Sequence, residues 1–194
     1  MLGLLRKQPW RLLRSPLLLW ALAAFLFKRI DHGGLKSAVI RVLLGGLQRQ
    51  QVDAYTAAYV RQVVPARLFA EALTVIQAHR SQADTLVLLS ASPDLFVPAL
   101  GAAMGFDQVL CTGVRWNAER LHGELTTANR RGYEKLLVLQ ALRTQYPGCH
   151  VTGYGNSLPD LLHLRACDAA VYVNAAPALA ADLTREGLRV VHWH

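Results

Sequence analysis

From about residue 85 to the C-terminus, short apolar segments alternate with segments of helical pattern, and this alternation constrains the fold more than any other feature of the sequence. The predicted strands are residues 85–89, 108–111, 150–153, 169–173 and 189–192. The predicted helices are residues 94–104, 133–146, 158–165 and 177–186. Helices of this length between strands are typical of parallel crossovers. The pattern predicts an α/β fold with a Rossmann-like, doubly wound parallel sheet.

The first third of the chain has a different texture. Residues 35–47 and 53–63 carry apolar side chains at helical spacing, and glycine pairs interrupt the pattern. Pro65 permits another helix start, with an apolar face that continues to about residue 79. We expect residues 1–64 to form an N-terminal helical cap region, which contains an apolar, basic-flanked segment, and residues 65–194 to form the α/β core.

Net charge is distributed unevenly along the chain. Hydrophobic residues make up 53% of the sequence and charged residues 18%, a composition that argues against disorder. Residues 1–52 contain nine Lys or Arg and only one acid, Asp31, which accounts for the whole net charge of +8. The excess charge flanks an apolar run and has no interleaved aromatic residues across a basic face. This pattern favours an anionic membrane surface as partner and predicts no binding of nucleic acid.

That apolar run covers residues 16–27 and lies between Arg14 and the Lys28-Arg29 pair. Its twelve residues are too few to span a bilayer, which takes about 20. A secretion signal is disfavoured because the triplet Ala21-Leu22-Ala23, which resembles a cleavage site, lies inside the run. Two interpretations stay open. Trp10 and Trp20 suit a helix in the membrane interface, and an apolar cap helix packed on the core explains the same residues.

Cysteine usage indicates a reducing compartment. Cys111, Cys149 and Cys167 match no zinc-binding spacing, and their odd number argues against a disulfide framework. We expect a cytoplasmic protein, peripheral at the inner face of the membrane if the apolar run contacts lipid.

In sheets of this kind, reactive groups gather at the carboxyl ends of the strands. Two polar clusters next to predicted elements are candidates for that position. Ser90-Ala91-Ser92-Pro93 comes after the first predicted strand, where hydroxyl and amide donors can hold a phosphate oxygen. A plain helix N-cap by Ser92 or Asp94 explains this segment equally well. Lys135 begins the next long helix, where an ammonium could neutralise phosphate charge, although a solvated lysine is the ordinary reading of that position.

The third cluster is Gly153-Tyr154-Gly155-Asn156-Ser157-Leu158-Pro159-Asp160, after the strand at residues 150–153. Glycines permit a sharp turn at the strand tip. Asn156 and Asp160 then place two oxygen-bearing side chains near a position for one hard cation. An Asx turn with a helix cap accounts for the local residues but not for the two other clusters in the same order.

Taken in order, Ser90, Lys135 and the Gly-Asn-Ser-x-x-Asp segment resemble motifs two to four of the haloacid dehalogenase (HAD) superfamily. Further segments, including residues 89–93, 100–105, 122–126 and 154–157, resemble its phosphoserine-phosphatase-like branch, subfamily IB. The N-terminal apolar stretch with its Arg-Lys-Gln-Pro-Trp lead-in is similar to the helical cap of the phosphatidylglycerophosphatase C type.

The resemblance implies Mg²⁺-dependent hydrolysis of a small phosphorylated substrate or phospholipid through an aspartyl-phosphate intermediate. In that family Ser90 and Lys135 would be catalytic, and Ser90, Ala91 and Lys135 would bind phosphate. Asn156 would stand at the metal position, supported by Asp160. Asn departs from the usual Asp there and, being neutral, is expected to weaken metal binding.

A second departure concerns the first family motif, Asp-x-Asp after a buried strand, which supplies the nucleophile and the general acid. No such triplet precedes Ser90. We expect the first strand of the sheet to be missing from this chain, through a misplaced start codon, an artificial boundary or genuine loss, and the polypeptide to be inactive as written. The alternative function is a non-catalytic, membrane-associated protein that keeps the HAD fold.

Overall fold

The computed structural model describes residues 15–194, without the side chains of residue 15 and residues 63–65. The helices are α1 Ser15–Leu26, α2 His32–Leu44, α3 Arg49–Arg67, α4 Ala70–Ser81, α5 Val97–Met104, α6 Tyr133–Gln145, α7 Leu161–Leu164 and α8 Pro177–Arg185. A 3₁₀ turn, Leu158–Asp160, precedes α7. The strands are β1 Val87–Pro93, β2 Gln108–Thr112, β3 Val114–Asn117, β4 Arg120–Leu125, β5 Thr152–Gly155, β6 Ala169–Val173 and β7 Arg189–Val191.

Parallel pairing is confirmed wherever the sequence predicted it. β1 pairs in parallel with β2, and β5, β6 and β7 form a second parallel sheet with β6 in the middle. The α/β, Rossmann-like fold is therefore confirmed. Its sheet is divided into two pieces among residues 15–194, with β1 and β5 each bonded to a single neighbour.

The exposure of β1 follows from this division. The sequence predicts a buried strand at residues 85–89, but the strand begins at Val87, and all seven of its residues are only half buried. Leu86, just before the strand, is the buried residue of that segment. The prediction of a buried strand is wrong because β1 has a sheet neighbour on one side only, so its apolar side chains are covered incompletely.

Strands β3 and β4 form a β-hairpin that the sequence pattern did not predict. β3 and β4 pair antiparallel and pack with the first helices around one apolar cluster. The buried members of this cluster are Ile40, Leu47, Val52, Val114 and Leu121. The four-residue and six-residue strands are short and polar at alternate positions, which gives little sequence signal.

Helix α1 places its small side chains inward and its large ones outward. Ala21 and Ala24 are buried, whereas Leu19, Trp20 and Phe27 are each about 70% exposed or more. No helix within residues 15–194 is both long and apolar enough to cross a bilayer. Trp10 and the basic residues that precede the apolar run lie outside the described residues.

Helix α3 runs through Pro65, so the prediction of a helix start at that residue is wrong. The break comes at Leu68 and Phe69, whose backbones are extended, and α4 begins at Ala70. Pro65 lies in the last turn of α3. Because proline has no backbone N–H, one helical hydrogen bond is lost there, and this loss is tolerated at the end of a helix. The expected boundary between residues 64 and 65 falls inside α3, and the division into cap and core stays a prediction.

Helix α4 and the segment after it connect the two pieces of the sheet. Arg80 donates to the carbonyl oxygens of Met104 and Gly105, next to the β1–β2 piece. On the other side, His79 contacts the Tyr154 hydroxyl in β5 at 2.8 Å, and Glu71 accepts from the backbone N–H of His194. The two pieces therefore share one covering helix.

Gly123 in β4 lies where α2 packs closely on the hairpin. Its φ is +93°, and a Cβ atom there would lie 2.7 Å from the Arg41 backbone nitrogen. We expect Gly123→Ala to lower the free energy of unfolding by about 3 kcal/mol, from left-handed strain plus overpacking. Gly148→Ala is the matched control, since it has φ +76° with nothing within 4 Å, and should cost about 1 kcal/mol. Equal losses in urea denaturation would contradict the packing of α2 on β4.

Candidate phosphate-binding site

An ion pair between α6 and the segment after β5 forms the centre of the candidate site. The Lys135 Nζ atom lies 2.6 Å from Asp160 Oδ1, and both side chains are largely buried, at 13% and 8% exposed. Lys135 is in the first turn of α6, and Asp160 ends the 3₁₀ turn before α7. A charge-assisted bond of this length, shielded from water, fixes the ammonium in one position. Sequence-predicted Lys135 and Asp160 are thus brought together.

The other oxygen of Asp160 is occupied by Ser157. Both the backbone N–H and the hydroxyl of Ser157 donate to Asp160 Oδ2, at 3.2 and 2.7 Å. Burial alone raises the pKa of Asp160, but the hydrogen bonds from Lys135 and Ser157, with the positive charge of Lys135, outweigh it and lower the pKa below its usual value. The carboxylate is therefore ionised at neutral pH and satisfied by its neighbours.

The two glycines of this segment serve close packing rather than a turn. Neither Gly153 nor Gly155 has a positive φ. A Cβ on Gly155 would lie 2.8 Å from the Asp160 Cβ, and a Cβ on Gly153 would lie 2.6 Å from the Cys167 sulfur. The sharp-turn explanation from the sequence is wrong. Glycine is required because the strand tip lies directly against Asp160 and α7.

Asn156 is exposed, and its side chain makes no hydrogen bond to any residue of the range 15–194. Within the same range no group of three His, Cys, Asp or Glu side chains could hold a metal. Both carboxylate oxygens of Asp160 are already engaged, so the segment offers one neutral amide oxygen to a cation. Mg²⁺ requires several oxygen ligands in octahedral arrangement and favours carboxylates. The described residues alone do not fit a magnesium site.

The Ser90-Ala91 segment lies inside β1 instead of after it. The Ser90 hydroxyl oxygen accepts a bond from the Ser92 N–H at 3.1 Å, and the β1–β2 register shifts between Leu89 and Pro93. Helix α5 begins only at Val97 and has no side-chain cap, so the interpretation of Ser92 or Asp94 as its N-cap is wrong. Asp94 accepts instead from the Val114 N–H.

The loop before α6 connects this segment with the Lys135–Asp160 pair. Lys36 of α2 donates to the Ala91 carbonyl and to Asn129 Oδ1. At the other end of the loop, a Cβ on Gly132 would lie 4.0 Å from the Pro159 Cβ. Ser90 itself has no hydrogen bond to Lys135 or Asn156 among the described residues. The structure thus joins Lys135, Ser157 and Asp160 directly, and relates Ser90-Ala91 to them through the loop.

Sequence reasoning missed two residues here, Lys36 and His163. Lys36 lies in a segment assigned to the cap, and only the tertiary fold brings α2 to the tip of β1. His163 follows Asp160 by three residues, a helical spacing that places the two side chains on one face. That spacing was the available signal.

His163 is buried at 7% exposed, and its Nδ1 atom has no hydrogen-bond partner within the described range. Burial and the positive charge of Lys135 lower the pKa of His163 to about 4, against an opposing effect of Asp160. Since this value is below the ordinary 6.5, the unfolded state binds the proton more readily than the folded state between pH 6.5 and 4. Stability is complete above pH 6.5 and falls as pH falls through that window.

We expect the free energy of unfolding to drop by about 2 kcal/mol between pH 7 and pH 5 because of His163. His163→Gln, which cannot titrate, should lose that part of the pH dependence, as measured by urea denaturation at each pH. Exposed His150 provides the matched control, and His150→Gln should keep the full slope. A His163→Gln profile parallel to that of the unaltered protein would contradict the assignment.

The chain is similar in sequence to known proteins. Residues 2–165 match the sequence profile of the haloacid dehalogenase-like hydrolases. Protein CicA of Caulobacter vibrioides, strain NA1000 / CB15N, is 30% identical over 154 residues, which cover 78% of this chain and 68% of CicA.

Solved structures show the same fold at low sequence identity. A protein of unknown function from Bordetella pertussis Tohama I superposes with a TM-score of 0.76 at 16% identity, over 88% of this chain and 78% of that one. A probable phosphoserine phosphatase from Vibrio cholerae gives a TM-score of 0.72 at 14% identity, over 92% of this chain and 53% of that one. With the profile match over most of its length, the chain belongs to the haloacid dehalogenase-like hydrolase family.

Proposed function

We propose that this chain forms the phosphate-binding part of a HAD phosphatase that acts on a phosphate monoester. The observation that carries the proposal is the buried Lys135–Asp160 pair. Asp160 takes one N–H of the ammonium and holds it in place, which leaves the other N–H groups for a phosphoryl oxygen. An ammonium with a fixed position is a better electrostatic partner for a transferring phosphoryl group than a mobile surface lysine.

Ser90 and Ala91 provide the opposite side of the proposed phosphate position. Because the Ser90 oxygen already accepts from Ser92, its own O–H is directed elsewhere and is available to donate. The register of β1 on β2 is irregular between Leu89 and Pro93, and Ser90, Ala91 and Ser92 have no register partner in β2. Ala91 thereby contributes a main-chain donor in our proposal.

The described residues supply no nucleophile for this reaction. The acids that precede Ser90 are engaged or remote: Asp31 caps α2, Glu71 binds the His194 N–H, Asp84 pairs with His79, and Asp53 is exposed on α3. None follows a described strand. We propose that a strand bearing the family's Asp-x-Asp motif belongs between the open edges of β1 and β5, and that the polypeptide as written does not turn over substrate.

Magnesium fits the same proposal only when further carboxylates complete the site. Asn156 would contribute an amide oxygen, and Asp160 would position its neighbours through Ser157 instead of binding the ion itself. When bound, the metal would neutralise charge on the phosphoryl oxygens. We propose accordingly that the chain of residues 1–194 binds phosphate without a requirement for Mg²⁺.

We propose a small phosphate ester as the substrate, with a phospholipid such as phosphatidylglycerophosphate as the specific candidate. For the enzyme we propose subfamily IB and, within it, the phosphatidylglycerophosphatase C type. Support comes from α1, whose Leu19, Trp20 and Phe27 project outward with Lys28 and Arg29 beside them. Such a helix is suited to the interface of an anionic membrane. We place the protein in the cytoplasm, peripheral at the inner face of the membrane.

The exposed apolar face also supports a second candidate function, a non-catalytic membrane-associated protein that retains the HAD fold. The DNA upstream of Met1 separates the two. An in-frame apolar strand that ends in Asp-x-Asp favours the enzyme, and a stop codon favours the non-catalytic protein.

Phosphate binding tests the first proposal directly. Isothermal titration of the 194-residue chain with inorganic phosphate should give a binding heat without added Mg²⁺. We expect Lys135→Met to weaken this affinity by about tenfold or more, because it removes a charged hydrogen-bond donor. Lys28→Met, at an exposed cap lysine, is the control and should leave the affinity unchanged. Unchanged phosphate affinity in Lys135→Met would defeat the assignment.

Flotation with vesicles tests membrane contact. The protein should float with vesicles that contain anionic lipid and should be partly released by high salt, which screens Lys28 and Arg29. Leu19→Ser with Phe27→Ser should reduce the bound fraction several-fold. The control is Leu137→Ser with Leu162→Ser, at leucines outside α1 that are 39% and 46% exposed. Equal flotation of both double variants would refute the role of α1.

A further inference from the structure

We propose that a groove on α1 binds one acyl chain of an anionic phospholipid, with the lipid phosphate on Arg29, at a site separate from the phosphate position near Lys135. This inference rests on the proposed membrane contact of α1, and it does not depend on the phosphatase assignment. A helix that only lies in the interface contacts many lipids weakly. The groove instead binds one lipid molecule at a defined position.

The groove arises from the order of large and small side chains along one stripe of α1. Trp20, Ala23, Ala24 and Phe27 follow the spacing i, i+3, i+4, i+7 and share one face of the helix. Seven residues of helix separate Trp20 from Phe27 by about 10 Å along the axis. The two alanines between them leave a depression of about 470 Å³, within the roughly 300–1,000 Å³ of small-molecule sites.

The walls of the groove are exposed and its floor is closed. Trp20 is 71% exposed and Phe27 is 78% exposed, whereas Ala24 is 7% exposed. The floor is covered because α1 packs against α2. Two large aromatic side chains in water are unfavourable, and an apolar chain between them would remove part of each from water. The shape and surface of the groove therefore suit an acyl chain.

The backbone at the end of α1 brings a cation to this groove. Lys28 has φ +55°, in the left-handed region that residues other than glycine rarely adopt. The chain reverses there, and the Arg29 N–H donates to the Ala24 carbonyl at 2.8 Å. As a result Arg29 lines the groove, and the preceding Lys28 is not among the lining residues.

The charge of Arg29 has no partner in the described part of the chain. Its side chain is exposed, and its guanidinium forms neither a hydrogen bond nor an ion pair within residues 15–194. Asp31, the nearest acid in sequence, accepts through Oδ1 from the Gly34 N–H. Attraction to the carbonyl end of α1 applies equally to Lys28 and does not explain why Arg29 lines the groove. A guanidinium binds two phosphate oxygens at once, so an apolar groove that ends in arginine is complementary to an anionic phospholipid.

Short-chain lipids below their aggregation concentration test the groove on the 194-residue chain. By titration calorimetry we expect one molecule of dihexanoyl phosphatidylglycerol to bind about tenfold more tightly than dihexanoyl phosphatidylcholine, the effect of one charged contact. Arg29→Gln should abolish this preference, whereas Lys28→Gln, the matched control at the neighbouring cation, should keep it. Ala23→Leu fills the depression and should weaken both lipids several-fold. Should Ala23→Leu fail to fold, Phe27→Ala, which removes one wall, should have the same effect.

The outcomes separate the groove from a diffuse membrane contact. If Arg29→Gln and Lys28→Gln reduce the preference equally, attraction to the anionic surface is diffuse and the groove is refuted. Flotation with vesicles but no binding of either short-chain lipid also refutes the groove and leaves the proposed membrane contact standing. Absence of both flotation and lipid binding refutes both.

Two further measurements exclude other occupants. Saturating inorganic phosphate should leave the lipid affinity unchanged, and displacement of the lipid would place it at the Ser90–Lys135 position and overturn the proposal. Sedimentation velocity without lipid should show a monomer. A dimer that Ala23→Leu dissociates would assign the groove to a second copy of the chain and overturn the lipid site.

Discussion

The carboxylate of Asp160 organises the site, because each of its oxygens fixes a different part of the chain. Oδ1 holds the ammonium of Lys135 from α6, and Oδ2 holds the backbone and hydroxyl of Ser157. A buried carboxylate with fewer partners would be costly, so the surrounding donors and the ionised state depend on each other. The bare Cα of Gly155 lets β5 approach close enough for this arrangement. Helix α6 and the continuous segment of residues 155–160 therefore meet at a single ionised group.

The divided sheet places a second constraint on the molecule. β1 and β5 each have one bonded neighbour, and the apolar side chains of β1 are half buried although their composition suits a central strand. Contacts of α4 with both pieces partly compensate, through Arg80 on one side and His79 on the other. The ring of Tyr154, between His79 and Trp193, covers part of the β5 side. These contacts are made by side chains and do not replace the backbone hydrogen bonds that a neighbouring strand would form.

The sequence predicted the parallel strands and their helices better than the hairpin, and the reason is physical. Strands β2, β6 and β7 and helices α6 and α8 lie within one or two residues of their predicted bounds, because their periodicity is strong and local. The hairpin of β3 and β4 has weak alternation and is held by contacts with Ile40, Leu47 and Val52 from distant helices. The sequence predicted that Lys135 and Asp160 belong to one site, but not that they form an ion pair. The engagement of both Asp160 oxygens, and the approach of Lys36 to Ala91, depend on tertiary packing that periodicity does not encode.

The basic residues of the N-terminal quarter are close in sequence, but the fold places them in different surroundings. Of its described members, Lys28 and Arg29 directly follow the apolar helix α1 and are exposed. Arg49 instead lies 4.1 Å from the Trp116 ring centroid and near Glu119, within the cap itself. Lys36 points the other way, toward the tip of β1. Helix α1 thus presents apolar side chains outward, and helix α2 presents a cation inward to β1.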